Sequence, residues 1–212
     1  MLRFLCVSDI HGHQKALEAV ITEANAYGWD QLVVCGDICF PGPEPLKVWE
    51  TLRKHNAVVV QGVGDRALAR IDPKKLSATT DTERARLRRL QEVRTELGDL
   101  ILARLAKLPP VSTLPLESGQ TMLIVHGSPA DPTEPFTESM SDDEMRALLG
   151  EDYAELIVCG GSHGAFDRVL DDGVRIVNVG SVGEAPGGDY ATACIIETAQ
   201  VGFKVTPITV QL

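Results

Sequence analysis

Short apolar runs that end in acidic or histidine residues do most to limit how this chain can fold. The runs Phe4–Ser8, Gln31–Cys35 and Ala57–Gln61 have the length and composition of buried strands. Between them, apolar residues recur at helical spacing, after His13 in the first interval and after a proline-rich loop in the second. Alternation of strand and helix is typical of a parallel sheet with helices outside it, so the first half predicts an α/β fold.

The second half of the chain is richer in predicted strands. Its apolar runs are Thr113–Leu116, Met122–Val125, Leu156–Cys159, Val169–Leu170, Val174–Val177, Ala193–Glu197 and Val201–Val205. A short helix is predicted over Ser141–Leu149. We find no repeat, linker or low-complexity tract, and we therefore predict one domain over residues 1–212, built from two stacked sheets with helices outside.

A long helical segment interrupts this order between Thr80 and Leu108. Thr80 and Glu83 fit a capping box, and Gly98 is expected to divide the segment in two. We interpret it as a helical insertion at about 80–108. Five arginines fall within it, namely Arg84, Arg86, Arg88, Arg89 and Arg94. A solvated helix face is the favoured interpretation of this cluster, and a basic patch that faces a substrate is the alternative.

Composition and charge exclude several functions. The net charge of −10 argues against generic binding to a nucleic-acid backbone, although it permits a small phosphorylated substrate beside bound cations. Every apolar run is shorter than the roughly 18 residues of a membrane span, so no membrane association is expected. The five cysteines form no disulfide pattern, which suits a reducing cytoplasm. The sequence leaves the oligomeric state open.

The residues at the strand ends are of the types that bind metals. Asp9, His11, Asp37, His126 and His163 each follow a predicted strand, and sites in α/β proteins gather beyond the carboxyl ends of strands. Carboxylate oxygen combined with imidazole nitrogen favours Mn²⁺, with Fe, Zn or Ni as other candidates, over Ca²⁺ or Mg²⁺. Each residue alone is more often part of a turn. In this order they predict a divalent-metal site that activates water against a phosphate ester.

Six segments give the chain a specific resemblance to a known family. They are Ser8–Gly12 (D-x-H), Gly36–Asp37 (G-D), Gly62–Asp65 (in place of G-N-[HC]-D), His126–Gly127 (H-G), Gly160–His163 (in place of G-H-[TS]-H) and Asn178–Gly183 (N-x-G-S-V-G). In order and spacing they resemble the calcineurin-like metallophosphoesterase superfamily, in its bacterial branch of small phosphodiesterases and diadenosine-tetraphosphatase-like proteins. The resemblance implies a four-layer α/β sandwich of two mixed sheets flanked by helices, with a two-metal hydrolytic site.

The resemblance also implies which residues hold each metal. The set for the first metal is complete and consists of Asp9, His11, Asp37 as the bridging carboxylate, and His163. The set for the second metal retains only Asp37 and His126, so the resemblance predicts one well-held metal and leaves the second with an incomplete set of ligands. Asp37 and His126 are also given catalytic roles by the resemblance.

Three positions depart from the family pattern. Val63 stands where the family has an asparagine ligand, and Gly161 stands where it has the first histidine of G-H-[TS]-H. Gly64 stands where histidine-bearing members have the residue that helps to protonate the leaving group. None of these three side chains can coordinate a metal or donate a proton.

Two neighbouring residues are candidates to compensate for these losses. His13, a third candidate catalytic residue, lies close in sequence to the first cluster and would reach a metal or phosphate, or else only hold its turn. Asp65 would replace the missing asparagine only if its loop were two residues longer than in the alignment that places Val63 at the asparagine position. We favour the alignment with Val63 at that position.

Three hypotheses follow from the intact and the broken ligand sets. The first is a metal-dependent phosphoesterase that hydrolyses a phosphomonoester or phosphodiester through a metal-activated water, with one well-held metal. The alternative is a catalytically impaired binding or regulatory protein of the same fold. A third, less favoured, is that Val63 and Gly161 were engineered or selected to trap one state. The complete first set favours the enzyme, because drift without function would erode both sets.

Overall fold

The computed structural model describes residues 1–150 and 154–212. Its strands are β1 (Arg3–Val7), β2 (Gln31–Val34), β3 (Val58–Val59), β4 (Val111–Pro115), β5 (Thr121–Val125), β6 (Leu156–Cys159), β7 (Ala165–Val169), β8 (Arg175–Val179), β9 (Tyr190–Thr198) and β10 (Phe203–Gln211). Its helices are α1 (Gln14–Ala24), α2 (Pro45–Lys54), α3 (Val63–Arg70), α4 (Asp81–Leu105) and α5 (Asp142–Ala147), with a 3₁₀ turn at Pro73–Lys75. None of the helices in the described ranges is long and apolar enough to cross a membrane.

Within the described ranges, the strands form two mixed sheets of five strands each. The first has the order β10-β9-β1-β2-β3 and the second the order β4-β5-β6-β8-β7. In the first sheet β1 is parallel to β2 and antiparallel to β9. In the second, β5, β6 and β8 are parallel, while β4 and β7 run antiparallel at the edges. The predicted α/β class with two mixed sheets is confirmed.

The alternation of side chains along β1 explains how the layers pack. Phe4 and Cys6 belong to an apolar cluster between the sheets, which they share with Ile124 of the second sheet. Leu5 and Val7 point the other way and pack beneath α1, α2 and α4. A third cluster joins the outer face of the second sheet to α5. The layers are therefore helix, sheet, sheet and helix, which confirms the predicted four-layer sandwich.

The predicted helical insertion corresponds to α4, and Gly98 interrupts it as expected. Gly98 has φ +71° and ψ 167°, a conformation that breaks the helix into two pieces. Thr80 caps the first piece, where its hydroxyl oxygen accepts a bond of 3.2 Å from the backbone N–H of Glu83. Helix α4 contacts α2 and α3, and its first piece forms one wall of a cleft beside the strand ends.

Two predicted strand boundaries at the edges of the first sheet are wrong. β3 covers Val58–Val59 instead of Ala57–Gln61, because Gln61 donates its backbone N–H outside the sheet. β10 covers Phe203–Gln211 instead of Val201–Val205, because a turn occupies residues 199–202. An edge strand has a partner on one side only, so its sequence pattern carries less information about its ends.

Helix α3 was not predicted, because Gly62 and Gly64 at its start are typical of a loop. The helix begins there because Asp65 caps it, accepting a 3.0 Å bond from the N–H of Gly62. Its first turn brings the N–H of Gly64 to the Asp37 carboxylate. The assignment of residues 1–212 to one domain stays a prediction.

Candidate metal centre

The five predicted metal ligands lie where the carboxyl ends of strands from both sheets meet. Asp9 and Asp37 follow the neighbouring strands β1 and β2 of the first sheet. His126 and His163 follow β5 and β6 of the second sheet. The two loops of the first sheet are tied together, since the N–H of His11 donates a 2.9 Å bond to the carbonyl of Asp37. The sandwich therefore places all five side chains at one end of the molecule.

Asp9, His11 and His163 form one compact group of possible ligands. Their facing atoms all lie within 4.8 Å of one another. Nε2 of His163 is 3.2 Å and Nε2 of His11 is 3.6 Å from Oδ1 of Asp9. The two Nε2 atoms are 3.2 Å apart. One carboxylate oxygen and two ring nitrogens thus converge on a single point.

Backbone carbonyl groups fix the orientation of the three site histidines. Nδ1 of His11 donates to the carbonyl of Phe40 at 2.5 Å, and Nδ1 of His126 donates to that of Cys35 at 2.7 Å. Nδ1 of His163 donates to the carbonyl of Glu184 at 3.0 Å. Because a carbonyl oxygen only accepts, each Nδ1 carries a proton, and in its neutral form each ring turns its Nε2 lone pair into the site. This is the arrangement of metal-binding histidines.

The carboxylate of Asp9 provides the test of whether a cation fits. Its Oδ2 accepts a 2.9 Å bond from the N–H of Gly161. Its Oδ1 is fully buried and has no hydrogen-bond partner among the described residues. A buried carboxylate oxygen without a donor is costly, and with both rings neutral the two facing imidazole lone pairs add to the cost. A divalent cation between Asp9, His11 and His163 would satisfy all three, so the residues fit a metal.

The pKa values of Asp9, His11 and His163 also indicate that this group favours a bound positive charge. Burial would raise the pKa of Asp9, yet His11 and His163 hold it well below its usual value. Burial would lower the pKa of His11, yet Asp9 and the carbonyl of Phe40 raise it to about 9. Asp9 likewise raises the pKa of His163. A bound cation would supply this charge and leave both histidines neutral.

Asp37 and His126 form a second group of ligand atoms together with Asp9. Oδ2 of Asp37 is 3.7 Å from Nε2 of His126. Oδ1 of Asp37 accepts a 2.6 Å bond from the N–H of Gly64 at the start of α3. The carboxylate shared by the two groups is therefore that of Asp9, whereas the resemblance implied Asp37. The bridging role of Asp37 stays a prediction.

Gly161 and Val63 lie next to this second group, as the alignment with the family predicts. A Cβ atom added to Gly161 would be 3.5 Å from Nε2 of His126, which places a side chain there among the second set of ligands. Val63 occupies the first turn of α3 and is 46% exposed in the cleft that also contains Asp37. The second group thus lacks ligands at the two places where the family pattern has them.

Four of the predicted ligand residues adopt backbone conformations that are rare for non-glycine residues. Asp9, His11, Asp37 and His163 have φ values of +50°, +49°, +51° and +61°. Such conformations cost of order 1–3 kcal/mol each and persist where the surrounding structure enforces them. Their concentration on the predicted ligands supports a functional role for this cluster.

His13 lies outside both ligand groups. It forms the N-cap position of α1, its ring lies close to Gly183, and burial lowers its pKa. Its predicted catalytic role has no direct support from its position. Asp65 is also not a replacement ligand, because its oxygens accept 3.0 Å bonds from the N–H groups of Ile38 and Gly62. Burial, together with the charge of Asp37, raises the pKa of Asp65 to about 6.

We expect replacement of Asp65 by alanine to reduce stability without changing metal binding. The substitution removes a fully buried carboxylate and leaves two backbone N–H groups without acceptors, which costs about 2–4 kcal/mol. Urea unfolding measures the loss, and equilibrium dialysis with Mn²⁺ measures the metal count. Asp99→Asn, at an exposed position on α4, is the control. Loss of a bound metal with unchanged stability would instead make Asp65 a ligand.

Two residues near the centre were missed as contributors by the sequence analysis. Oε2 of Glu184 is 3.7 Å from Nε2 of His11, which places a further carboxylate at the open side of the first group. The side-chain nitrogen of Asn178 donates to the carbonyl of Gly160 at 2.8 Å and to the hydroxyl of Ser162 at 2.9 Å, so it holds the loop that carries His163. The N-x-G-S-V-G segment, which starts at Asn178 and ends just before Glu184, was the available signal.

The fold and the site together define a class of protein. Two stacked mixed sheets carry aspartates and histidines at their strand ends, in the arrangement of a metallophosphoesterase metal centre. The family model of the calcineurin-like phosphoesterase superfamily domain matches residues 2–201, and the chain belongs to this superfamily. The predicted family is confirmed. No curated protein sequence matches the chain significantly.

Solved structures of similar proteins share this fold. A hypothetical protein from Pyrococcus horikoshii OT3 is 24% identical, with a TM-score of 0.82 over 100% of this chain and 88% of that one. A metallophosphoesterase from Sphaerobacter thermophilus is 23% identical, with a TM-score of 0.76 over 99% and 88%. The E. coli phosphoesterase YfcE is 20% identical, with a TM-score of 0.54 over 92% and 88%. At these identities the similarity shows the fold alone.

Proposed function

We propose that the protein is a metal-dependent phosphoesterase that hydrolyses a small phosphomonoester or phosphodiester. One observation carries the proposal. Asp9, His11 and His163 present one carboxylate oxygen and two Nε2 atoms to a common point, while backbone carbonyls hold the two rings from behind. The family is divalent-metal dependent, and this group is the set of residues best arranged to hold such an ion.

The side chains around this point would have different roles in hydrolysis. A divalent cation held there would supply a lowered pKa of bound water and the polarisation of a phosphoryl oxygen. Asp9, His11 and His163 would hold the cation. Oδ1 of Asp37 is bonded to the N–H of Gly64, which leaves Oδ2 to bind a second ion or to orient the attacking water. Nε2 of His126, 3.7 Å from that oxygen, would offer its lone pair to the same second ion or to a proton of that water.

The identity of the metal and the setting of the protein are part of the proposal. Mixed carboxylate and imidazole ligands support Mn²⁺, with Fe, Zn or Ni as other candidates. All five cysteines are buried free thiols, which supports a reducing cytoplasmic setting. The net charge of −10 supports a small phosphorylated substrate over a nucleic-acid backbone.

A second candidate function is a binding or regulatory protein that holds one metal without turnover. The observation that favours it is the incomplete second group, in which Val63 and Gly161 supply no ligand. In addition, Gly64 has no side chain to protonate a leaving group. The intact first group, with its strained backbone and oriented histidines, favours the enzyme over this alternative.

Replacement of Asp37 by asparagine tests the choice between the two. We expect Mn²⁺-dependent hydrolysis of bis-p-nitrophenyl phosphate or p-nitrophenyl phosphate by the wild type, and a fall in kcat/KM of at least about 100-fold in Asp37→Asn. Because Asp37 lies outside the first group, most Mn²⁺ binding should remain. Asp99→Asn serves as the control. Mn²⁺ binding without turnover of any phosphoester would favour the regulatory alternative.

A further inference from the structure

A cleft of about 850 Å³ extends from His11 and Asp37 to the first piece of α4. Its other walls are α3 and the segment of residues 71–78. The volume falls within the range of about 300–1,000 Å³ that is typical of sites for small organic molecules. A molecule that reaches the metal centre from this side must therefore pass along, or occupy, this cleft.

The walls of the cleft are mainly apolar, although solvent reaches them. Val63 and Leu76 are 46% and 48% exposed, which is unusual for large apolar side chains, and both line the cleft. They are joined there by further apolar residues, namely Phe40, Pro41, Ala67, Ile71, Leu87 and Leu90. Exposed apolar side chains that converge on one cavity are typical of a ligand-binding site.

The cleft is lined by charges of both signs, with the carboxylates of Asp37, Glu83 and Glu184 and the guanidinium groups of Arg86 and Arg89. The guanidinium of Arg86 lies over the ring of Phe40 at 5.9 Å, and among the described residues no carboxylate is within salt-bridge distance of it. Arg89, the other cleft arginine, is engaged by the carbonyl groups of Pro41 and Gly42. The carboxylate of Glu83 accepts bonds from neighbouring N–H groups at the start of α4. Arg86 is therefore the cation best placed to meet an anionic ligand.

We propose that this cleft binds an organic phosphate ester whose alcohol portion is bulky and apolar. The apolar portion would lie against Leu76 and Val63, the phosphoryl group would face the metal centre, and Arg86 would meet the negative charge of the ester. In this arrangement Val63, which stands where the family pattern has a metal ligand, makes an apolar contact with the substrate instead. The inference rests on the proposed function for the position of the phosphoryl group, and it adds the class of substrate.

Two non-hydrolysable probes test this proposal by binding instead of turnover. Calorimetry compares 1-naphthylmethylphosphonate with methylphosphonate, each with and without Mn²⁺. Leu76→Ser, which removes a half-exposed wall residue, is matched by Leu100→Ser, which changes a 69% exposed leucine of α4 outside the cleft. Arg86→Gln is matched by Arg88→Gln on the same helix, whose side chain does not line the cleft.

We expect the naphthyl probe to bind at least about tenfold more tightly than methylphosphonate, because its rings remove apolar surface from water. Leu76→Ser should lower that preference about three- to tenfold. Arg86→Gln should lower the affinity for both probes by similar factors. Neither Leu100→Ser nor Arg88→Gln should change either affinity. Equal affinity of the two probes, or equal effects of Leu76→Ser and Leu100→Ser, would overturn the proposal. If the chain binds no Mn²⁺ but keeps the naphthyl preference, the metal-dependent function fails and the apolar subsite stands.

Discussion

Replacement of Asp9 by asparagine is expected to abolish tight metal binding at both groups of ligands. Asp9 belongs to both groups, and its Oδ1 is buried between His11 and His163 without a hydrogen-bond partner among the residues that the structure describes. An asparagine would present either a weaker neutral oxygen or an N–H₂ group to the cation. We expect Mn²⁺ affinity to fall at least about 100-fold, or about 2.8 kcal/mol, and turnover to fall with it.

Calorimetric titration with Mn²⁺ measures this effect, and the metal-induced rise in melting temperature provides a second readout. Wild type should be stabilised by Mn²⁺, whereas Asp9→Asn should not be. Asp99→Asn removes an equal charge from an exposed helix position and should behave as wild type. If Asp9→Asn retained wild-type affinity, the assignment of the first group as the metal centre would be wrong.

Restoring the two missing ligands is expected to create a second metal site. In the double variant Val63→Asn, Gly161→His, the new imidazole would start from a Cβ that lies 3.5 Å from Nε2 of His126. The new amide would lie on the first turn of α3, in the same cleft as Asp37. Two added ligands should raise affinity for a second Mn²⁺ about 10- to 100-fold and move the count toward two per chain.

The double variant also carries a conformational cost that must be separated from its effect on metal binding. Gly161 has φ +75°, and an added Cβ would be 3.1 Å from that of Pro135, so the substitution should cost about 1–3 kcal/mol of stability. Val63→Ala, Gly161→Ala introduces a similar strain without ligands and is the matched control. The alignment would be contradicted by a double variant that binds a second Mn²⁺ no better than this control.

The sequence was sufficient to predict the class of fold, and the structure brings the predicted ligand residues together. Periodicity along β1 and β2 identified buried strands, because both of their faces are covered and the apolar pattern is continuous. The polar residues just after such strands stand out against that pattern. This contrast explains why Asp9 and Asp37 could be proposed as candidate ligands before their geometry was known.

Other parts of the site depend on tertiary contacts that leave no local pattern. The carbonyl groups of Cys35, Phe40 and Glu184 orient the histidines, and a backbone carbonyl is present at every residue. The sharing of Asp9 by both groups depends on the distance between β1 and the loop after β6, which only the packing of the two sheets determines. Helix α3 was likewise not predicted, because Gly62 and Gly64 at its start are typical of a loop.

The five arginines of the insertion illustrate the limit of pattern analysis. A solvated face was favoured for the whole cluster, but the structure divides it. Arg86 and Arg89 line the cleft, whereas Arg84 pairs with Asp81 on the surface. Their spacing alone could not predict this, because the kink at Gly98 and the packing of α4 on α3 set which residues face the cleft.

The central claim is that Asp9, His11 and His163 hold a divalent cation, and a count of bound metal tests it most directly. The metal-free chain is dialysed to equilibrium against Mn²⁺ and analysed for metal and protein content, beside the variant His11→Ala, His163→Ala. We predict at least one tightly bound Mn²⁺ per wild-type chain and none in the variant. A wild-type chain that binds no more Mn²⁺ than the variant would contradict the claim.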